Sequence, residues 1–171
     1  KLIGRVKIKN LLMAIVAAMN SNISLEKILK ITQKIKPVSG RLEKIGRLNN
    51  NGIVILDYAH SPDALETCIK DIKEQFKLRK INLVFGCGGD RDKPKRKTMG
   101  IIANKYCNKI YLTDDNPRNE DPKIIRRDIK SNILKNKLIE IPSREKAIKS
   151  AILDIKSCLL YTSDAADELS S

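Results

Sequence analysis

The sequence predicts an α/β fold in which a mainly parallel sheet is flanked by helices. Apolar strand segments alternate with helix segments from residue 52 to residue 155, the order expected for β-α-β units. The first strand, at residues 52–57, is apolar almost throughout, as in strands buried on both faces. Helix-start signals follow the strands, such as Ser61 before Pro62 and Asp121 before Pro122.

Two helices and a linker precede this alternation. The mostly apolar residues 10–20 predict the first helix. The second begins with Ser24 as N-cap and has Glu26 in its first turn, where the helix dipole favours an acid; Pro37 ends it. Residues 38–51 predict a linker with a short strand at residues 42–45, and we place a domain boundary between residues 38 and 39.

The remaining elements follow in a regular order. Strands are predicted at residues 52–57, 81–86 and 110–113, with a fourth, weaker strand at residues 138–141. Helices are predicted at residues 62–76, 94–106 and 121–134, and a last one, capped by Ser143, ends near residue 155. Because right-handed crossovers bring the carboxyl ends of parallel strands to one edge, the loops after the first three strands should meet there.

These three loops carry the side chains best suited to a ligand. The first contains Asp57 and His60, the one histidine of the chain. Asp57 could accept hydrogen bonds from ribose hydroxyls or only cap its own loop, and His60 could touch a nucleotide or make a structural hydrogen bond. The third loop reads Asp115-Asn116-Pro117-Arg118, and a guanidinium beside a carboxylate and an amide suits a small zwitterion such as an amino acid.

The second loop is rich in glycine. Gly86, Gly88 and Gly89 allow a close backbone approach and positive φ angles, and exposed N–H groups in such a loop favour an anion. The bases that follow at a helix start favour the same chemistry: Lys93, Lys95 and Arg96. The loop is neither a P-loop nor a dinucleotide-binding fingerprint, and a tight turn with solvated charges is the alternative.

Composition limits the other classes of function. The net charge of +14 resembles that of a nucleic-acid-binding protein, but the bases are spread over every segment and few aromatic residues are available for base stacking. The four cysteines lack C-x-x-C spacing, so we expect neither a zinc site nor a disulfide. No apolar run reaches the roughly 20 residues needed to cross a membrane. We therefore expect a cytoplasmic monomer that binds neither nucleic acid nor a membrane.

Residues 158–171 differ from the rest of the chain. They contain three acids and no bases, and the otherwise abundant Lys, Ile and Asn are absent. We interpret them as a non-native tail, translated from a sequencing adapter that is joined to a truncated gene; a natural acidic C-terminus is the alternative. We therefore exclude these residues from the predicted fold.

Three motifs, in this order, resemble those of the Mur ligases. They are residues 57–62 (DYAHSP), 85–93 (FGCGGDRDK) and 115–118 (DNPR). The resemblance covers about residues 2–157. It implies that residues 39–157 are a truncated, Rossmann-like Mur ligase C-terminal domain and that residues 1–38 are the last helices of the central ATP-binding domain.

Within this family, the motifs best fit the members that add meso-diaminopimelate. The resemblance implies that this amino acid is bound by Arg91, Asp115, Asn116, Pro117 and Arg118. It places another set at the nucleotide: Asn10, Arg41, Asp57, His60 and Lys93. Lys7 departs from the family pattern, which usually has asparagine there. Lysine-adding relatives lack the arginine of the third motif, because lysine has no second carboxylate to pair with it.

The resemblance also implies an activity. The members that these motifs best fit use ATP and Mg²⁺ to join meso-diaminopimelate to UDP-N-acetylmuramoyl-L-Ala-D-Glu through an acyl phosphate, in peptidoglycan synthesis. The P-loop and Mg²⁺ ligands would lie upstream, so we expect no catalytic residue, no metal ligand and no activity in this chain alone. Two alternatives stay open: a related ligase of the folylpolyglutamate synthase type, and a non-enzymatic basic domain that binds nucleic acid.

Overall fold

The computed structural model describes residues 4–155 and 159–163. Two helices come first, α1 (Arg5–Asn20) and α2 (Leu25–Thr32). The elements that follow are β1 (Glu43–Arg47), β2 (Ile53–Leu56), α3 (Pro62–Gln75), β3 (Ile81–Phe85), α4 (Pro94–Tyr106), β4 (Lys109–Leu112), α5 (Pro122–Lys130), β5 (Leu138–Glu140), α6 (Arg144–Leu153) and β6 (Leu159–Thr162). None of the helices in these residues is both long enough and apolar enough to span a membrane.

The strands form one sheet in the order β1-β2-β6-β3-β4-β5. Strand β1 is antiparallel to β2, and all other neighbouring strands are parallel. One face of the sheet packs against α3, α4 and α5 in the larger hydrophobic core, and the other face packs against α6 in a smaller core. The predicted α/β fold with a mainly parallel sheet is therefore confirmed.

The helix-start signals are where the sequence predicts them. The side chain of Ser61 accepts a hydrogen bond from the Ala64 N–H, and the side chain of Asp121 accepts one from the Lys123 N–H. Ser143 caps α6 in the same way. Ser24 occupies the N-cap of α2, but its side chain makes no capping hydrogen bond.

Three helix ends differ from the prediction, and distant residues decide two of them. Helix α1 begins at Arg5 rather than at residue 10, since the Arg5 N–H donates to Asp71 Oδ2 of α3 at 3.0 Å. Helix α2 ends at Thr32, five residues before Pro37, and α5 ends at Lys130. Beyond α5, the Leu134 N–H donates to Asn104 Oδ1 of α4 at 3.0 Å, which draws the chain away from a helical path.

The largest difference is β6. Sequence reasoning excludes residues 158–171 from the fold, but residues 159–162 form a strand between β2 and β3 and all four are buried. An unbroken Leu-Leu-Tyr run suits a position that is covered on both faces. The adapter origin of residues 158–171 stays a prediction, and of these Cys158 and residues 164–171 lie outside the described residues.

The loops after β3 and β4 pack backbone against backbone. The Gly89 N–H donates to the Asn116 carbonyl oxygen at 2.8 Å, and a Cβ at Gly89 would lie 1.8 Å from the Pro117 carbonyl oxygen. The predicted close approach is therefore present. None of these glycines adopts the positive φ that glycine allows, whereas Asp90 in the same loop has a φ of 50°.

A buried ion cluster supports the same two loops. Arg96 of α4 is fully buried and donates to Glu120 Oε1 at 2.7 Å and Oε2 at 3.0 Å. The Asp90 N–H also donates to Glu120, at 2.6 Å. These hydrogen bonds, chiefly those from Arg96, lower the pKa of Glu120 to about 2. Arg96 is thus paired within the fold, and its interpretation as an anion-binding base is wrong.

Gly89→Ala should destabilise the protein by roughly 1–3 kcal/mol, because the added methyl group forces the two loop backbones apart. The urea midpoint of unfolding measures this change. Gly46→Ala is the matched control, since nothing lies within 4 Å of a Cβ built at Gly46. Equal midpoints for the Gly89 variant and the wild type would contradict the close packing of the loops.

Glu120→Gln should flatten the dependence of stability on acid pH. The pKa of Glu120 falls from the usual 4.5 to about 2 on folding. Its contribution is therefore complete above pH 4.5 and disappears as the pH falls towards 2. Urea midpoints across this range should slope less steeply in the variant.

Glu145→Gln is the control for this experiment. Lys149 lowers the pKa of Glu145 as well, but both side chains are exposed. An exposed pair contributes little to stability. A slope that is identical in the Glu120 variant and the wild type would refute the role of Glu120.

Candidate functional site

A cleft of about 220 Å³ lies where the loops after β2, β3 and β4 meet. Its lining residues are Tyr58, His60, Gly88, Arg91, Lys95, Asp115 and Arg118. The predicted meeting of these loops is thus present, and the two arginines of the predicted amino-acid site share one cleft. Their role in binding stays a prediction.

Arg118 is fixed at its backbone and at its side chain. Its N–H donates to Asn116 Oδ1 at 3.1 Å, and its φ of 49° turns the chain sharply. Its Nη1 donates to the Gly89 carbonyl oxygen at 2.8 Å. Asn116 and Pro117 do not line the cleft; Asn116 closes the turn and Pro117 packs against Gly89. They shape the loop that presents Arg118.

Asp115 supplies the carboxylate among the residues that line the cleft, and its side chain is 21% exposed. Its Oδ1 lies 3.8 Å from Nη1 of the buried Arg144. The lining cations are Arg91, Lys95 and Arg118, so the described cleft carries more positive than negative charge. It therefore suits a ligand that has more carboxylate or phosphate groups than ammonium groups.

A second cavity, of about 810 Å³, lies between α1, α3 and the segment before β1. It is lined by three of the five residues predicted to bind a nucleotide: Asn10, Arg41 and Asp57. Lys7 also lines it and donates to the Leu42 carbonyl oxygen at 3.3 Å. Burial lowers the pKa of Lys7, although Asp57 partly opposes this effect. A cavity of this size is ample for a nucleotide.

Asp57 organises the wall of the larger cavity. It is 5% exposed and accepts a hydrogen bond from the Leu42 N–H at 2.6 Å. It also accepts from the Cys68 thiol at 3.3 Å and from the Tyr161 hydroxyl at 3.4 Å. Burial, followed by the charge of Asp57, raises the pKa of Cys68 to about 12, so this thiol stays a protonated donor. The sequence suggests that Asp57 either contacts a ribose or caps its own loop. It does not reveal that Asp57 accepts hydrogen bonds from distant parts of the fold.

Tyr58 lines the smaller cleft and contacts Arg41 of the larger cavity, and sequence reasoning does not single it out. The Arg41 guanidinium lies 5.3 Å from the centroid of the Tyr58 ring. The His60 ring meets the same ring edge-on, with 5.4 Å between centroids. Lys95 donates to the His60 carbonyl oxygen at 2.9 Å. The position of Tyr58 between Asp57 and His60 in the first motif is the one signal that could have revealed it.

Two of the residues predicted at the nucleotide lie away from the larger cavity. His60 lines the smaller cleft instead, and Lys93 lines neither cavity. The Lys93 side chain is 66% exposed, and its Nζ lies 3.6 Å from Glu120 Oε2. Within residues 4–155 and 159–163, no cluster of three or more His, Cys, Asp or Glu side chains could hold a metal ion.

Comparison with known proteins reveals close relatives. The chain is 45% identical over 157 residues to the UDP-N-acetylmuramoyl-L-alanyl-D-glutamate–2,6-diaminopimelate ligase of Rickettsia felis, a match that covers 91% of this chain and 29% of that protein. It is 44% identical over 152 residues to the ligase of the same name from Buchnera aphidicola. This match covers 88% of this chain and 30% of the Buchnera protein. The chain thus spans about a third of the length of these relatives.

Solved structures of ligases also have a fold similar to that of this chain. A structure of a UDP-N-acetylmuramoyl-L-alanyl-D-glutamate–2,6-diaminopimelate ligase matches 95% of this chain and 34% of its own, with a TM-score of 0.69 and 32% identity. Thermotoga maritima folylpolyglutamate synthase shares the fold, with a TM-score of 0.71 at 23% identity over 93% of this chain and 36% of its own.

The family match itself covers most of the chain. Residues 40–158 match the family described as "Mur ligase, glutamate ligase domain". This range contains the whole of the smaller cleft and begins just before Arg41 of the larger cavity. Because the match extends over more than half of the sequence, the chain belongs to the Mur ligase family.

Proposed function

We propose that this chain is the amino-acid-binding part of an ATP-dependent ligase that joins meso-diaminopimelate to UDP-N-acetylmuramoyl-L-Ala-D-Glu. The observation that carries the proposal is the single cleft shared by Arg91, Arg118 and Asp115. Support for the substrate comes from the names of relatives that are 42–45% identical to this chain. The product would enter peptidoglycan synthesis.

The charges of the cleft match those of meso-diaminopimelate. This molecule has two amino-acid centres, each with a carboxylate and an ammonium group. Arg118, together with Arg91, would pair with the carboxylate of the distal centre, and Asp115 would accept hydrogen bonds from its ammonium group. Lysine has no distal carboxylate, so its complex would lack this charge-assisted pairing, which contributes about 1.5–3 kcal/mol.

The larger cavity would hold the nucleotide. Arg41 supplies a cation, Asn10 an amide and Lys7 an ammonium group along its wall. The oxygens of Asp57 already accept hydrogen bonds within the fold, so a ribose hydroxyl would bind to its remaining lone pairs. Lys93 would reach the phosphates only by leaving Glu120.

The residues of this chain would act by positioning. ATP phosphorylates the side-chain carboxylate of D-Glu, the amine of diaminopimelate attacks the acyl phosphate, and phosphate leaves as the amide forms. Mg²⁺ would neutralise phosphate charge, and its ligands would come from another part of the ligase. Arg91, Arg118 and Asp115 would fix the distal centre, so that the reacting amine approaches the acyl carbon in one orientation.

A related ligase that adds another amino acid is the second candidate. The fold shared with folylpolyglutamate synthase favours it, since such similarity does not distinguish between amino-acid substrates. The two candidates differ in what Arg118 should recognise. A distal centre with both a carboxylate and an ammonium group occurs in diaminopimelate and not in glutamate.

Arg118→Ala, in the longer ligase that contains this chain, should raise the KM for meso-diaminopimelate roughly tenfold to a hundredfold, because a charged hydrogen-bonded pair is lost. Steady-state kinetics with diaminopimelate, lysine and glutamate measure the change. The preference for diaminopimelate over lysine should fall by a similar factor.

Arg127→Ala is the matched control. The Arg127 side chain is 71% exposed and lies 3.9 Å from Asp128, away from the cleft residues. Its kinetic constants should equal those of the wild type. A wild-type ligase that prefers glutamate, or an Arg118 variant with unchanged selectivity, would count against the proposed substrate.

The chain alone should catalyse no ligation. Its sequence contains no G-x-x-x-x-G-K-[ST] motif, and its described residues offer no metal cluster. Phosphate release from ATP in the presence of meso-diaminopimelate and the UDP-linked dipeptide measures the activity, with the longer ligase as positive control. Turnover by the chain alone would contradict the division of roles proposed here.

A further inference from the structure

Arg144 lies directly behind the cleft, as the first residue of α6. Its side chain is only 7% exposed. Its Nη2 donates to the backbone carbonyl of Ser163, a contact that any residue at that position could accept. Its Nε and Nη1, however, are buried without a hydrogen-bond partner, although Nη1 is 3.8 Å from Asp115 Oδ1.

Such an arrangement is costly for a guanidinium. Buried N–H groups that lack an acceptor lose their hydration without compensation. Arg126, another buried arginine, lies beside two carboxylates and bonds to both Asp114 and Glu140. Arg144 has instead one carboxylate nearby, at a distance slightly too long for a hydrogen bond. A shift of less than about 1 Å would close this gap.

The two oxygens of Asp115 face different surroundings. Oδ1 is the oxygen nearest Arg144, whereas Oδ2 lies 3.6 Å from the position of a Cβ built at Gly88, in the wall of the cleft. Arg118 Nη1 lies 2.8 Å from the same position. Asp115 therefore stands between two guanidiniums, one behind the cleft and one inside it.

We propose that Arg144 is a positioning residue for Asp115. It holds Oδ1 from behind and leaves Oδ2 directed to the cleft, where this oxygen accepts a hydrogen bond from the ammonium group of the substrate. Without Arg144, Asp115 turns towards Arg118 and neutralises the guanidinium that the distal carboxylate needs. This inference rests on the proposed function and adds to it a residue outside the cleft.

The test uses the longer ligase that contains this chain, with Arg144→Ala, Arg144→Lys and the control Arg127→Lys, at an exposed arginine away from the cleft. Arg144→Ala should raise the KM for meso-diaminopimelate roughly tenfold to a hundredfold, while the KM for ATP stays unchanged. Arg144→Lys should recover part of the loss, since an ammonium group also attracts Oδ1. Arg127→Lys should leave the KM for diaminopimelate unchanged.

A double-mutant cycle with Asp115→Asn shows whether Arg144 acts through Asp115. In the Asp115→Asn background, Arg144→Ala should change the KM for diaminopimelate by less than about twofold, because the partner charge is already absent. If Arg144→Ala does not fold, Arg144→Lys completes the same cycle. Equal effects in both backgrounds, or equal increases in all three substrate KM values, would overturn the inference.

The inference and the proposed function fail in different ways. A wild-type ligase that does not add diaminopimelate overturns the proposed function, and the inference with it. An active wild-type enzyme whose Arg144 variants keep the wild-type KM for diaminopimelate overturns the inference alone.

Discussion

The contact between the loops after β3 and β4 is the constraint on which the smaller cleft depends. Gly89 allows the two backbones to touch, with the Pro117 carbonyl where a side chain would otherwise begin. The same contact brings the Gly89 carbonyl within 2.8 Å of Arg118 Nη1 and so orients its guanidinium. The position of the Arg118 guanidinium thus follows from the absence of a side chain on the neighbouring loop.

Ion pairs with buried arginines join the loops after β3 and β4 to the helices and strand beside them. Glu120 joins the glycine-rich loop, through the Asp90 N–H, to Arg96 inside α4. Arg126 of α5 joins Asp114, one residue before the cleft carboxylate, to Glu140 on β5. Separating the two partners of such a pair would leave a buried charge uncompensated, which is costly. The pairs therefore stay together and keep these loops rigid, which solvated charges would not do. Rigid loops lower the entropy that binding must overcome.

The sequence predicts well those features that short segments decide. The order of strands and helices from residue 53 to residue 153 agrees with the structure, and Ser61, Asp121 and Ser143 cap the predicted helices. The meeting of the three loops follows from topology alone. Local patterns therefore lead to the fold and to the neighbourhood of the site.

Features that depend on distant partners are missed. No local pattern shows that Arg96 meets Glu120, that α1 is held at its start by Asp71, or that Asp57 accepts a hydrogen bond from Leu42. Each is a contact between residues far apart in the sequence. The residue types involved could pair with several different partners, so the sequence does not show which partner is chosen. Arg96 and Lys93 stand in one basic run of the sequence, yet one is fully buried and the other is exposed.

The place of β6 in the sheet bears on how the domain is assembled. The strand is the last in the described sequence, yet it fills the gap between β2 and β3, which are made much earlier. During synthesis on the ribosome, the two halves of the sheet would emerge with their inner edges unpaired. Closure must wait for residues 159–162, and pairing over such long sequence separations makes folding slow and leaves those edges open to association with other chains.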